Sequence, residues 1–281
     1  WISQDTGIAE GTQDGEITAI APGETTIYVQ KDGEVLAECY VEAVELTADL
    51  YGFARSNENE LNQRWIKMNT KDKQAEAVYE ESEEKIFVAA ERVDDVIYAY
   101  DETFLLHKID ADTGEILQVF ESEEIYEVKD MAYNYSTGIM YAVSQGLYTM
   151  DLIEIDLNTG AVTLVCEDLH DEEYYAPIYS IGITSDGMIC MVSAAGGICL
   201  YDEEYNRVMQ VGTMGEDFPT DLLSMTMTGD HENGGFYIIP NSYRKGISVW
   251  YYEMNYGITA NLGSVDNLTD WTGVHTIYPG L

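Results

Sequence analysis

The segment KIDADTGEIL, Lys108 to Leu117, returns 46 residues later as EIDLNTGAV, Glu154 to Val162. An internal repeat constrains topology more than any single element, because each unit must stack on its neighbours to bury its apolar face. Five such turns align: WIKMNTKDK, HKIDADTG, IEIDLNTG, CLYDEEYN and WYYEMNYG. Their anchors, Asn69, Asp110, Asp156, Asp202 and Glu253, are separated by 41, 46, 46 and 51 residues. An Asp or Asn side chain bonds its own backbone two residues on, and a following Gly supplies the positive φ that closes a short hairpin loop. Each recurring acid therefore reads first as a turn device.

The stretch leading into each turn is itself a strand, a short strand follows the turn, as in ILQVFE and VTLVCE, and two more come before, as in KIFVAAERV and DVIYAY. That makes four strands per repeat, except that the first repeat, starting near Leu50, lacks its leading strand. The segment DWTGVHTIYPG, Asp270 to Gly280, has the alternation of a leading strand and nothing after it. A ring resolves both deficits. Four-stranded sheets repeated radially at this period form a β-propeller, which leaves only short protected edges. The sequence predicts an all-β chain in which residues 47–281 form a five-bladed β-propeller closed by the C-terminal strand. The D-x-x-T-G turn resembles the blades of quinoprotein-like propellers, and that resemblance implies architecture without a ligand.

Residues 1–46 have neither the period nor the turn. Trp1, Ser3, Ala9, Gly15, Ile17, Thr18, Ala19, Gly23 and Ile27 fall in the order W-x-S, A-x-V, G-x-V-T-A, G-x-x-x-I. This segment resembles the C-terminal half of a bacterial Ig-like domain, group 2, and is expected to form a partial β-sandwich. The family's first strands are absent, and Trp1 opens inside what reads as a strand, so the chain is expected to be a fragment of something longer. The resemblance implies a secreted or cell-surface bacterial protein in which such modules serve as spacers or adhesive units.

Lys and Arg number 13 against 52 Asp and Glu, a formal charge of −39. Nucleic acid and anionic membranes, which are bound through basic patches, are excluded as natural partners. No apolar run approaches the ~18 residues of a membrane span. Cys39, Cys166, Cys190 and Cys199 show no metal-ligand spacing; Cys190 and Cys199 flank a hairpin and read either as a facing pair or as small buried apolar residues.

Catalytic signatures are missing: there is no G-x-S-x-G, no H-E-x-x-H, and the four histidines are isolated. Asp130, Asp221 and Asp270 each stand at or just before a leading strand. If they converge on one channel mouth they would suit a hard cation such as Ca²⁺; otherwise they bond loop amides at strand starts, and no cofactor is needed. On the same face the scarce cations Arg55, Arg64, Arg244 and Lys245, with Tyr148, Tyr243 and Trp271, form a candidate site for a carbohydrate or an acidic peptide, so the expected partner is a carbohydrate or a surface protein. The leading expectation is a monomeric, non-enzymatic binding or adhesion module. The alternative is a glycoside-active enzyme, because the layout resembles the five-bladed arabinanase and fructosidase group with carboxylates at the channel mouth. A purely structural, self-associating surface protein is the third reading.

Overall fold

The computed structural model describes residues 1–56, 59–79, 85–121, 126–146, 149–171, 175–204 and 206–278, with only the backbone described for 59–62. The chain divides into two compact units, Trp1–Thr47 and Ala48–Leu281. Every regular element among the described residues is a β-strand.

In the first unit, β1 (Ile2–Ser3), β4 (Gly23–Lys31) and β5 (Glu34–Ala43) form one sheet in the order β1-β4-β5, and β2 (Ala9–Gly11) pairs with β3 (Ile17–Ala19). The β4–β5 hairpin turns at Asp32-Gly33, where both residues have positive φ (53° and 86°). This is the twist-compatible two-residue turn that an Asp-Gly pair favours. Ala9 and Ile27 are fully buried.

The second unit contains five four-stranded antiparallel sheets among its described residues. The first includes β6 (Asp49–Ser56), β7 (Asn59–Asn69) and β8 (Ala75–Ala77). The second runs through β9 (Phe87–Val93), β10 (Val96–Asp101), β11 (Leu106–Asp110) and β12 (Ile116–Phe120). The third comprises β13 (Glu127–Asn134), β14 (Ile139–Gln145), β15 (Met150–Ile155) and β16 (Val162–Cys166). The fourth comprises β17 (Ile178–Ile183), β18 (Ile189–Ser193), β19 (Gly197–Asp202) and β20 (Arg207–Thr213). The fifth comprises β21 (Leu222–Asp230), β22 (Gly235–Ser242), β23 (Gly246–Glu253) and β24 (Ile258–Val265). The last strand, β25 (Leu268–His275), pairs with β6, so the first sheet has the order β25-β6-β7-β8.

The recurring acids cap the hairpins. Asp110 accepts from the amides of Asp112 and Thr113 at 3.1 and 2.8 Å, Asp156 from Asn158 at 2.9 Å, and Asp202 from Glu204 at 3.1 Å. Asn69 accepts from Lys71 at 3.0 Å, and Glu253 from Asn255 and Tyr256 at 2.9 and 2.7 Å. Gly114 and Gly160 both take φ near 73° to leave the turn.

Each apolar cluster lies between two consecutive sheets. Phe53 and Trp65 pack with Phe87 and Ile97; Tyr98 and Phe120 with Met131 and Ile153; Leu152 with Ile181 and Met191; Cys190 and Ile198 with Phe236 and Trp250. Burial of each large side chain contributes about 1.5–3 kcal/mol, so the sheets are held face to face chiefly by these layers. Cys190 and Cys199 belong to different layers on opposite faces of their sheet, and all four thiols are free. The facing-pair reading of these two cysteines is thus corrected: strand alternation points adjacent registers to opposite sides.

The leading strands of neighbouring sheets lie side by side: β9 with β13, β13 with β17, β17 with β21, β21 with β25, and β25 with β9. Polar side chains tie them together. Thr272 donates to the Phe87 carbonyl at 3.1 Å, and Thr226 and Thr228 each accept an amide from the β25 segment at 3.1 Å. At Gly273 the backbone of β25 approaches Ala90 so closely that a Cβ would stand 2.7 Å from the Ala90 amide nitrogen, which explains glycine there together with its φ of 59°.

Candidate cleft at the starts of the leading strands

The first residues of β9, β13, β21 and β25, with Tyr179 of β17, surround a cleft of about 370 Å³. That volume lies within the range of ligand pockets. Arg55 faces Asp270 across the β6–β25 ladder and donates to its carboxylate at 2.8 Å. Lys129 and Glu127 share one side of β13, as residues two apart on a strand do, and pair at 2.5 Å. Ile86, Val88, Phe104, Leu223 and Met225 supply apolar wall. Two polar atoms here, Ser224 Oγ and Arg55 Nε, have no hydrogen-bond partner among the described residues although both are shielded from solvent. An unsatisfied buried polar group is costly, and these two belong to residues of the cleft wall.

Phe104 holds φ at 66°, an outlier for a bulky residue. The turn that carries it is fixed by Asp101, which accepts from the Thr103 and Leu105 amides at 2.9 and 3.1 Å and contacts His107 Nε2 at 2.8 Å. Burial pushes the Asp101 carboxyl up, but these hydrogen bonds outweigh it and hold the group at about 2.

Deeper among the same strands the character changes. Asp130 is 1% exposed and accepts from Ser180 Oγ (2.5 Å), Thr226 Oγ1 (2.9 Å) and the amides of Ile181 (3.2 Å) and Met227 (3.1 Å). One carboxyl so joins three sheets. Burial pushes it up to about 7 against the pull of those four donors. Glu91, also buried, is driven well above the carboxylate range by desolvation, and the nearby Asp130 adds to this. At the far ends of the strands only about 10 Å³ of cavity remains, beside Glu91, Tyr135 and His231. There Tyr135 and Tyr278 stack at 4.1 Å and His231 meets Tyr278 edge-on at 4.7 Å.

The three sequence-selected aspartates are not brought together. Asp130 lies inside, because a register shift between Val128 and Asp130 turns it inward. Asp270 lines the cleft as the partner of Arg55. Asp221 stands at the β22–β23 turn, where Ser242 Oγ (2.7 Å) and the Arg244 amide (3.2 Å) bind it; the Ser242 bond leads in holding its carboxyl below the usual range. Among the described residues no group of three or more His, Cys, Asp or Glu is placed to hold a metal ion, and Asp130 and Asp221 bond backbone amides, as the alternative reading of these residues has it.

The ligand-binding set divides as well. Arg55 lines the cleft, and Arg64 is exposed on β7 opposite Ala54. Tyr243 is 79% exposed on the β22–β23 turn, Arg244 lies 3.7 Å from Asp221, and Lys245 donates to the Asp217 carbonyl at 3.1 Å. None of these three lines the cleft. Trp271 is 1% exposed and packs over Gly52, which removes it as a stacking face for a ligand and corrects that expectation. Tyr148 lies outside the described residues. Sequence reasoning missed Phe104, Lys129, Leu223 and Ser224. Lys129 carried a usable signal, since it neighbours Asp130 and must point the other way along an extended strand.

The chain superposes on TolB from Acinetobacter baumannii with a TM-score of 0.51 at 13% identity, over 95% of this chain and 80% of that one. Repeated four-stranded antiparallel sheets and this neighbour, itself a propeller, agree. The fold is a β-propeller. A chain of the nidogen/laminin complex aligns with a TM-score of 0.48 at 11% identity, over 81% of this chain and 97% of that one. No family model and no curated protein matches the sequence. Among the described residues, no helix of this propeller chain is long and apolar enough to cross a membrane.

Proposed function

We propose that this chain is a non-enzymatic binding module of a secreted or surface-attached bacterial protein, in which a five-bladed propeller closed by β25 takes a protein ligand at the cleft. Five sheets whose leading strands neighbour one another in cyclic order support the blade count and the closure. The W-x-S and G-x-V-T-A pattern of the first unit, with its β1-β4-β5 sheet, supports an Ig-like stalk. The observation that carries the binding reading is the cleft itself, with apolar walls around the unpartnered Ser224 hydroxyl and Arg55 Nε. Apolar walls around a few placed polar groups suit an inserted side chain of a protein loop better than a hydroxyl-rich glycan.

The test is to select peptides from a displayed random library on the whole chain, then measure their affinity for Leu223→Lys and Ser224→Arg. The reading expects a loss of about tenfold or more for both variants at unchanged melting temperature. Binders indifferent to both substitutions, or a glycan-array hit that needs the cleft while no peptide does, would overturn it. Glu102, Glu127 and Asp270 give the cleft three carboxylates, which keeps a glycoside-active enzyme as a second reading. That reading requires turnover of a glycoside, abolished by Glu127→Gln or Glu102→Gln.

A further inference from the structure

A second hollow, of about 430 Å³, opens on the fifth sheet and shares no lining residue with the cleft. It lies between the loop that leaves β20, with Met214, Glu216 and Asp217, and the strands β23 and β24, with Trp250 and Asn261. Trp250 and Asn261 are opposite one another across the β23–β24 ladder, so they share the face that packs toward the fourth sheet. The indole is held in place by donating from Nε1 to Ser248 Oγ at 2.9 Å and by Phe218, whose ring meets it edge-on at 5.3 Å. The lining is graded in polarity. Met214 and Trp250 are buried, whereas Glu216, Asp217 and Asn261 are exposed. Lys245 donates from Nζ to the Asp217 carbonyl at 3.1 Å, and neither Glu216 nor Asp217 forms an ion pair among the described residues.

An apolar floor below two exposed carboxylates suits a long side chain with an apolar stem and a cationic head. An anion would meet like charge, and an uncharged group would take water from the carboxylates and return nothing. Arginine fits better than lysine, because its planar guanidinium packs against an indole and donates to carboxylates at the same time. The hollow and the cleft also reach the same end of the fifth sheet. Leu222, next to the cleft residue Leu223, pairs with Ser242, and Lys245 of the hollow lies in the turn between Ser242 and Gly246. Strand β21, which lines the cleft, stands two and three strands from β23 and β24, which line the hollow. At about 4.8 Å per strand spacing that is roughly 10–14 Å, the reach of about four extended residues. We propose that the hollow is a second subsite for the same protein partner, taking an arginine side chain about four residues from the one that enters the cleft. The pairing of the two subsites rests on the binding reading above; the arginine site does not.

The probe is acetyl-arginine amide, with the uncharged isostere acetyl-citrulline amide as control. The readout is the indole N–H resonance of Trp250 in the whole chain, identified by its loss in Trp250→Phe. The arginine probe should move that resonance while those of the buried Trp65 and Trp271 hold, and the citrulline probe should not. Glu216→Gln with Asp217→Asn should weaken the response about tenfold. Both substituted residues are exposed, and an unchanged melting temperature reports that the variant is folded. Peptides selected on the chain should carry arginine about four residues from the side chain that senses Leu223→Lys, and should lose affinity for the same double variant. An arginine response together with peptides indifferent to Leu223→Lys and Ser224→Arg would remove the cleft reading and leave the arginine site standing. Equal responses to both probes, a Trp250 resonance that neither probe moves, or peptides that need the cleft but ignore Glu216→Gln with Asp217→Asn would each overturn the assignment.

Discussion

The two ends of the leading strands are built from the same five segments and do opposite things. At their starts the side chains stand apart around about 370 Å³, with ion pairs at the rim and two polar atoms unsatisfied. Past Asp130 they converge, leaving about 10 Å³ and a stack of tyrosines and histidine. Stability thus resides in the middle and the far end, and the near end is free to vary. This division predicts that substitutions lose effect on stability as they move toward the cleft.

The largest effect belongs to Asp130. Replacing it with Leu strands two amides and two hydroxyls from two other sheets, and should cost about 3–5 kcal/mol, read as a shift of the urea midpoint. Asp130→Asn keeps one acceptor oxygen and should cost about 1–2 kcal/mol. A loss below about 0.5 kcal/mol for Asp130→Leu would show that the middle of the strands holds nothing together.

Next comes His275, fully buried between Trp65 and Tyr51, with its ring centroid 4.8 Å from the Trp65 centroid and no partner for Nε2 among the described residues. Desolvation drives its imidazole down to about 3; the Gly273 carbonyl opposes this slightly and Arg92 reinforces it. The unfolded chain therefore takes up the proton first. The stability this group contributes is complete above about pH 6.5 and is lost as pH falls toward 3. By about pH 4.5 the loss should be roughly 2–3 kcal/mol, and His275→Phe should remove that part of the acid sensitivity. Asp130 acts with the opposite sign, since its raised carboxyl favours the folded state at low pH and loses that advantage as pH rises from about 4 toward 7, and the raised carboxyl of Glu91 acts in the same direction. Thermal melts of wild type and His275→Phe across pH separate the two contributions.

How far this division was legible in the sequence depended on which physical rule governed each residue. Asp110 and Asp156 declared themselves because a hairpin turn is local: the acid, the Thr and the Gly that make it lie within five residues of each other. Asp130 misled because a bulge, which depends on the partner strand, decides which way it faces. The burial of Trp271 was legible, since Asp270 and Trp271 are adjacent on a strand and cannot both face the cleft. Phe104 and Ser224 gave no signal, because they meet at the cleft only where sheets distant in sequence come together.

A smaller effect is expected from Tyr278→Ala at the sealed end. Its stack on Tyr135 should contribute about 1 kcal/mol, lost as a few degrees of melting temperature and as faster exchange at Tyr135 and its neighbours.

The smallest effect on stability, and the sharpest test of the comparison, is Ser224→Ala. A hydroxyl shielded from solvent without a partner costs the folded chain its lost hydration. Removing it should leave stability unchanged or raise it by up to about 1 kcal/mol, the opposite sign to Asp130. Peptides selected on the cleft should meanwhile lose affinity for the variant, because a group retained at a cost to folding is what a binding site contains. A drop in melting temperature equal to that of Tyr278→Ala would mean that the hydroxyl is satisfied within the fold. The near end would then serve stability as much as the far end does, and the cleft would keep only Arg55 as a polar anchor.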